Sequence, residues 1–233
     1  MKKIVFILLF LICKPIFAQT KGIFSKSPII NLENWDKQRT YWGYFLGFNS
    51  YDFKFHYENP DQEIQVNKNS GFNVGLIGDL RLHNYINLRF EPGLYFTQRN
   101  LTYTAIVDPN DARREVKSTY IHFPLLVKFS AKRTGNIRPF LVGGLSRTLN
   151  LSSNSNLKDD NAEEIFRVKK WTNNYELGFG IDLYTEYFKF TPSIRGVFGL
   201  GDELIRDNDV NSPWTGNVNS MSSRAIFINF TFQ

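Results

Sequence analysis

Between residues 175 and 183 the odd positions are Tyr175, Leu177, Phe179, Ile181 and Leu183, and the even ones are Glu176, Gly178, Gly180 and Asp182. After a break at 184–187 the alternation resumes, with Phe188, Phe190, Ile194, Phe198 and Leu200 on one side. Lys189, Thr191, Ser193, Arg195 and Gly199 occupy the other. Period-two alternation marks β-strands, and two such runs across a short gap predict a hairpin. Placing Leu183 opposite Phe188 sets Asp182 against Lys189 and Glu176 against Arg195. Both acids then meet bases, every apolar side chain keeps the other face, and a slip of one residue would invert one strand. A soluble sheet buries its Phe/Leu face and wets its charges. Opposite charges paired beside glycines suit instead the crowded inside of a small barrel whose apolar face meets lipid.

The same pattern recurs along the chain. A first strand beginning near Tyr41 puts Trp42, Tyr44, Leu46 and Phe48 on one face, with Gly43 and Gly47 opposite. The apolar phase then passes to Tyr51, Phe53, Phe55 and Tyr57, which predicts a bulge near Asn49 and Ser50. Residues 71–82 direct Phe72, Val74, Leu76, Leu80 and Leu82 outward and Asn73, Gly75, Asp79 and Arg81 inward. Residues 86–103 direct Leu88, Phe90, Leu94 and Phe96 outward and Arg89, Glu91, Gly93 and Tyr95 inward; the tight turn at 83–85 sets Asp79 against Arg89. In 118–129, Ile121, Phe123, Leu125, Val127 and Phe129 face out and Tyr120, His122 and Lys128 face in. A fifth strand at 137–150 has a less regular phase, the opening hairpin supplies two more, and 224–232 ends the chain with Ile226, Ile228, Phe230 and Phe232 outward.

Polar loops at 58–70, 104–117, 151–171 and 201–223 alternate with short turns. The expectation is an all-β protein, an eight-stranded antiparallel transmembrane β-barrel of the outer membrane of a Gram-negative cell, with both termini periplasmic. Eight strands enclose a width that side chains fill. Pro92, Pro124, Pro139 and Pro192 fall inside predicted strands, where a closed barrel offers no free edge, so they read as bulge or bend sites. A soluble barrel of lipocalin type, with its aromatic face inward, is the alternative architecture.

Residues 1–18 have the form of a signal peptide: Lys2 and Lys3, an apolar run at 4–12, and Ile16-Phe17-Ala18 before Gln19. The run is far shorter than the ~20 residues of a spanning helix. Cys13 follows Ile12, where a lipoprotein signal has a small residue, and cleavage after Ala18 removes this sole cysteine together with disulfide and thiolate chemistry. It also removes Lys2, Lys3 and Lys14 from the formal charge of +6, which leaves no argument for nucleic acid. Residues 19–40 read as a periplasmic lead-in to a barrel at 41–233, with Trp35 the candidate partner contact. Aromatic residues make up 16% of the chain, a composition typical of barrels with aromatic girdles.

Catalytic chemistry finds little footing. His56, His83 and His122 fall at different heights of the predicted barrel, and none has a serine and an acid at triad spacing. Asp207-Asn208-Asp209-Val210-Asn211 resembles the start of a calcium loop, but Ser212 stands at the glycine position and Val218 at the late glutamate position. Asp159, Asp160 and Asn161 with Glu163 and Glu164 form another acidic cluster, and both clusters read as solvated loop surface. The expectation is therefore no catalytic residue, no cofactor and no metal site. Asp79, Arg81, Arg89, Glu91, Glu176, Asp182, Lys189 and Arg195, with Lys128, are read as structural lumen charges that pair into a plug.

Five motifs together carry a family resemblance: Trp35-Asp36-Lys37-Gln38, Tyr41-Trp42-Gly43-Tyr44, Leu88-Arg89-Phe90-Glu91-Pro92-Gly93, Tyr120-Ile121-His122-Phe123-Pro124-Leu125 and Pro192-Ser193-Ile194-Arg195-Gly196. From about residue 34 onward the chain resembles the PorT family of Bacteroidota outer-membrane proteins. Gln233 after Phe232 departs from the usual aromatic ending. The resemblance implies an eight-stranded porin-like barrel needed for the type IX secretion system, which exports proteins with a C-terminal sorting domain and supports gliding in some species. It implies no catalysis and transfers no functional residues. The expected role is that of a non-enzymatic accessory in protein transport, in contact with outer-membrane lipid and with other secretion or outer-membrane assembly proteins. A free-standing structural or adhesive barrel and a lipid-modifying enzyme are the alternatives.

Overall fold

The structure, a computed structural model, describes residues 29–108 and 110–233; the signal-peptide reading of 1–18 and the first part of the lead-in lie outside them. It contains ten strands: β1 (Thr40–Tyr57), β2 (Ile64–Lys68), β3 (Ser70–His83), β4 (Ile86–Phe90), β5 (Gly93–Tyr103), β6 (Arg113–Ser130), β7 (Ile137–Asn150), β8 (Trp171–Tyr184), β9 (Lys189–Gly199) and β10 (Val218–Phe232). Every pairing is antiparallel, and β1 pairs with β10 on one side and β3 on the other, so the sheet closes on itself. β2 and β3 are two parts of one wall strand interrupted at Asn69, and β4 and β5 are two parts of another interrupted at Glu91-Pro92. The ring therefore has eight members.

The prolines explain the interruptions. The Glu91 amide donates to the Pro124 carbonyl at 3.4 Å, and a strand residue's N and O point the same way, so the donor that Pro124 lacks faces the gap at Glu91-Pro92. At Pro192 the β8–β9 ladder lapses between Gly180↔Ser193 and Leu183↔Phe190. The Pro139 carbonyl accepts from Ala131, just past the end of β6. No central ladder bond is asked of a ring nitrogen.

Two registers differ from the expectation. In the β8–β9 hairpin Tyr184 stands opposite Lys189 and Leu183 opposite Phe190, two residues from the predicted pairing. Phe188 belongs to the turn: its amide donates to the Thr185 hydroxyl at 3.1 Å and its carbonyl accepts from the Thr185 amide at 3.0 Å. A two-residue displacement keeps every side chain on its face but changes partners, so Glu176 opposes Val197 rather than Arg195. The bulge near Asn49 and Ser50 does not form; the β1–β10 register runs unbroken from Tyr44↔Phe232 to His56↔Ser220. Tyr51 and Phe53 simply point inward, because at that height the interior turns apolar. Phe53 packs there with Leu101, Tyr103, Val116, Phe166, Val168, Leu204, Val218 and Met221. β2, the first residues of β6 and those of β10 all lie within stretches expected to be loops, since strands that rise beyond the membrane lose the apolar-out pattern.

The outer wall and the interior are opposites of a soluble barrel. Trp42 is 77% exposed while Phe45 on the same strand is fully buried. Leu46, Phe48, Leu76, Leu141, Leu177, Ile226 and Ile228 continue an apolar belt around the outside, and Asp79, Arg89, Glu91, His122, Lys128, Glu176 and Arg195 are buried within. A continuous belt of this kind far exceeds the scattered apolar surface of a soluble monomer, and it matches a lipid-facing wall.

Candidate functional site

Paired charges fill the lumen at mid-height. Because the β3–β4 turn sets Asp79 directly opposite Arg89, the guanidinium grips that carboxylate through Nε and Nη2, both at 2.7 Å. Arg89 Nη1 reaches Glu91 at 3.1 Å, and the other Glu91 oxygen accepts from Arg195 at 2.6 Å. Arg195 Nε lies 2.9 Å from Glu176, whose second oxygen is 2.6 Å from His122 Nε2. His122 Nδ1 meets the Thr148 hydroxyl at 2.7 Å, and Asn174 donates to that hydroxyl at 2.9 Å. The contacts run as one chain across the lumen from β3 to β7. Beside it Lys128 pairs with Asp182 at 2.6 Å, and Thr191 donates to the same carboxylate at 2.8 Å. Gln233, the residue after the terminal aromatic, donates to Asp79 at 3.1 Å. Buried ion pairs roughly break even against desolvation, so what the chain achieves is a polar interior with its charges matched and little space for water.

Glycines make room for the next layer. A Cβ on Gly75 would sit 2.6 Å from the Phe45 ring and one on Gly93 2.8 Å from it, so both positions need hydrogen for that ring to cross the lumen. Phe45, Tyr51, Tyr95, Tyr120 and Phe227 form a buried aromatic layer. Arg99 lies above it, fully buried, with its guanidinium 3.9 Å from the centre of the Phe53 ring and 2.5 Å from the Tyr120 hydroxyl.

The loops close the top. Asp160 caps the 3₁₀ turn Asn161–Glu163 by accepting from the Ala162 amide at 3.0 Å, and it accepts the Asn208 amide of the next long loop at 2.9 Å. These amides, Asn208 foremost, hold its carboxyl below the usual range. Asp207 in turn accepts from the Asn161 side chain at 2.9 Å, Ser212 at 2.5 Å and Thr215 at 3.0 Å. Asp160, Asn161 and Asp207 thus form a latch between the loops that the solvated-surface expectation missed, while Asp159, Glu163, Glu164 and Asp209 are exposed as expected. Among the described residues no group of three or more His, Cys, Asp or Glu side chains is arranged to hold a metal ion.

The opposite end carries the short turns and is covered by residues 31–39. Asp36 pairs with Arg138 at 3.1 Å and Arg133 at 3.4 Å and accepts from the Tyr184 hydroxyl at 2.7 Å. Arg81, expected among the lumen charges, instead donates to the Asp36 carbonyl at this mouth. Its strand position points inward, but the lead-in segment meets it first. Lys189 also departs from expectation: its ammonium lies 5.1 Å from the Tyr41 ring centre and 6.0 Å from that of Trp35. Lys128 has taken Asp182, and among the described residues no carboxylate comes within 4.0 Å of Lys189. Trp35, the candidate partner contact, is half-buried and stacked on Tyr41 at 5.7 Å, so much of its ring serves to cover the mouth.

One arrangement escaped the sequence reading. Thr148, His122 and Glu176 form a hydroxyl–imidazole–carboxylate series like a nucleophile relay, but all three are buried, and His122 and Glu176 are 0% exposed. No substrate reaches the hydroxyl, so the series is structural. No spacing signals it, because its members come from three neighbouring strands, β6, β7 and β8, and meet only once those strands pair in this register. His56 and His83 are exposed and remote from it. Asp36 carried a visible signal, the Trp-Asp motif of the lead-in, though not its partners.

The sequence profile of a family described as outer membrane protein beta-barrel domain matches residues 17–204. No protein of curated function matches the chain. Among solved structures, the outer membrane protein OprG from Pseudomonas aeruginosa is similar at 11% identity over 83% of this chain and 95% of that one, with a TM-score of 0.48. The outer membrane protein AlkL, solved in lipid bilayers, is similar at 14% identity over 92% and 97%, with a TM-score of 0.41. The N-terminal barrel of Pseudomonas aeruginosa OprF shows 15% identity over 80% and 97%, with a TM-score of 0.37.

Proposed function

This chain belongs to the outer membrane protein beta-barrel domain family, and from that premise we propose that it is a non-conducting, non-enzymatic outer-membrane barrel that serves type IX protein secretion as an accessory component, through contacts made by its surfaces. The observation that carries this reading is the filled interior. Charges at mid-height, an aromatic layer, an apolar core under latched loops and the lead-in segment across the other mouth leave no route for a polypeptide. Any part in export then falls to the wall, the loops or the lead-in. The secretion role itself draws on the resemblance of the Trp35-Asp36 lead-in and the strand motifs to the PorT family. The described chain ends and the short turns share one end of the barrel, which we place in the periplasm, leaving the long loops outside the cell.

A tagged copy purified from native outer membranes tests the reading. Secretion or outer-membrane assembly subunits recovered in fixed ratio are the expected result. A lone barrel from gently solubilised membranes, with export of sorting-domain proteins intact on deletion, would leave a free-standing structural or adhesive barrel in its place.

A further inference from the structure

On the outside of β1, one carboxylate is hidden where exposure is the rule. Asp52 shares the outward face of Trp42 and Phe48, yet its side chain is 7% exposed because two cations cover it. Arg224 of β10, directly opposite, approaches it through Nη2 at 2.6 Å and Nε at 2.7 Å, and Lys68 reaches it from β2 at 3.0 Å. The cations themselves remain half-exposed, at 50% and 49%. Asp52 therefore acts as a fixed post that holds two positive groups side by side with one net positive charge to spare. Among the described residues Arg224 Nη1 has no hydrogen-bond partner, and the Lys68 ammonium is paired with this carboxylate alone, so donors remain for an incoming acid.

The wall opens at this point for a reason in the register. The β1–β3 ladder ends at Ser50↔Ser70, and past Asn69 the continuing strand, β2, pairs only with β5. The upper part of β1 thus leaves its neighbour, and a cavity of about 380 Å³ opens outward, lined by Ser50, Asp52, Lys68, Phe198, Arg224 and Ile226. Its floor is apolar: Ile226 faces Ser50 across the β1–β10 pair, and Phe198 faces Arg224 across the β9–β10 pair. Both are exposed parts of the belt, and Lys54, the next outward residue up β1, adds a third exposed cation. The charges begin where the apolar belt stops, on the long-loop side.

We propose that Lys68 and Arg224, held on Asp52, form a headgroup site for a phosphate-bearing lipid of the surrounding leaflet, with its acyl chains on Phe198 and Ile226. The pairing of a guanidinium and an ammonium with phosphate oxygens above an apolar floor is the chemistry of such a lipid and of no neutral one. The site depends on the bilayer placement of the barrel and not on the secretion role.

Native mass spectrometry of the full chain in mild detergent, with diphosphorylated lipid A and the same lipid after phosphatase treatment, tests it. The phosphorylated form should be retained preferentially, and Lys68→Gln should weaken its retention about fivefold. Arg224→Gln should do the same where it folds, while the Arg147→Gln control, an exposed cation on β7 across the ring from β1, should change nothing. Equal retention of the two lipids by the unaltered protein would overturn the site, as would unchanged retention by Lys68→Gln. Retention of neither lipid would count against the bilayer placement as well.

Discussion

Glu91 is the residue on which the lumen turns, because two guanidinium groups share it. Arg89 approaches one oxygen and Arg195 the other, and all three side chains are 5% exposed or less. Glu91→Ala leaves both cations with a lost partner in a place water hardly enters, and removal of one member of a buried ion pair costs about 3–5 kcal/mol. Urea unfolding of the barrel in lipid vesicles, followed by tryptophan fluorescence, should show a loss of that size. Glu115→Ala, which removes an exposed pair with Lys117, should cost no more than ~1 kcal/mol by the same measurement. Equal losses would mean that the lumen charges are hydrated and not a plug. The Asp79–Arg89 contact was readable from a tight turn between alternating strands. The Glu91–Arg195 contact was not, since it spans the lumen between residues that no local pattern links.

At the scale of elements, the two longest loops stand as a pair held by carboxylates. Asp160 accepts amides from both loops, and its carboxyl is held below the ordinary value of about 4 by those bonds, chiefly that from Asn208. A depressed value in the folded state means that the contribution is fully present above the unfolded value and is lost as pH falls through the folded one. The latch should therefore hold at neutral pH and loosen in acid. Cleavage by an acid-active protease within 151–170 and 200–217 should accelerate as pH drops below about 4, and Asp160→Ala should raise cleavage by a neutral protease already at pH 7. A pH-independent pattern identical in the two proteins would remove Asp160 from the latch. The alternation located both loops; it did not reveal that their acids bind each other's backbone, because loops carry no periodicity from which a contact could be inferred.

For the whole molecule the consequence is closure. Asp36 ties the lead-in across one mouth, the charge chain fills the middle, and an apolar core lies beneath the loops at the other end. Purified barrel in a planar bilayer should give no discrete current steps. Asp36→Ala should stay silent too, because the layers above the mouth are unchanged. Steps of steady conductance from the unaltered protein would contradict the filled lumen and with it the proposal that export depends on surfaces.

Alternation along single strands was enough to determine the all-β class, the closed ring of eight, the apolar wall and the inward set of charges, because side chains of a strand alternate by stereochemistry alone. It also placed Pro92 and Pro192 as irregular points, whereas Pro124 and Pro139, expected to be such points too, sit in the unbroken β6–β7 and β7–β8 registers. Partners were another matter. Beyond the Asp79–Arg89 hairpin pair, which acid meets which base, why Lys189 sits under Trp35 and Tyr41 while Lys128 takes Asp182, and why Tyr51 and Phe53 turn inward without a bulge all depend on which strands lie beside or across from each other and at what height. Those distances come into being only when the strands pair in their final registers and, for contacts across the lumen, when β1 meets β10 and the sheet closes, so only the tertiary structure could decide them.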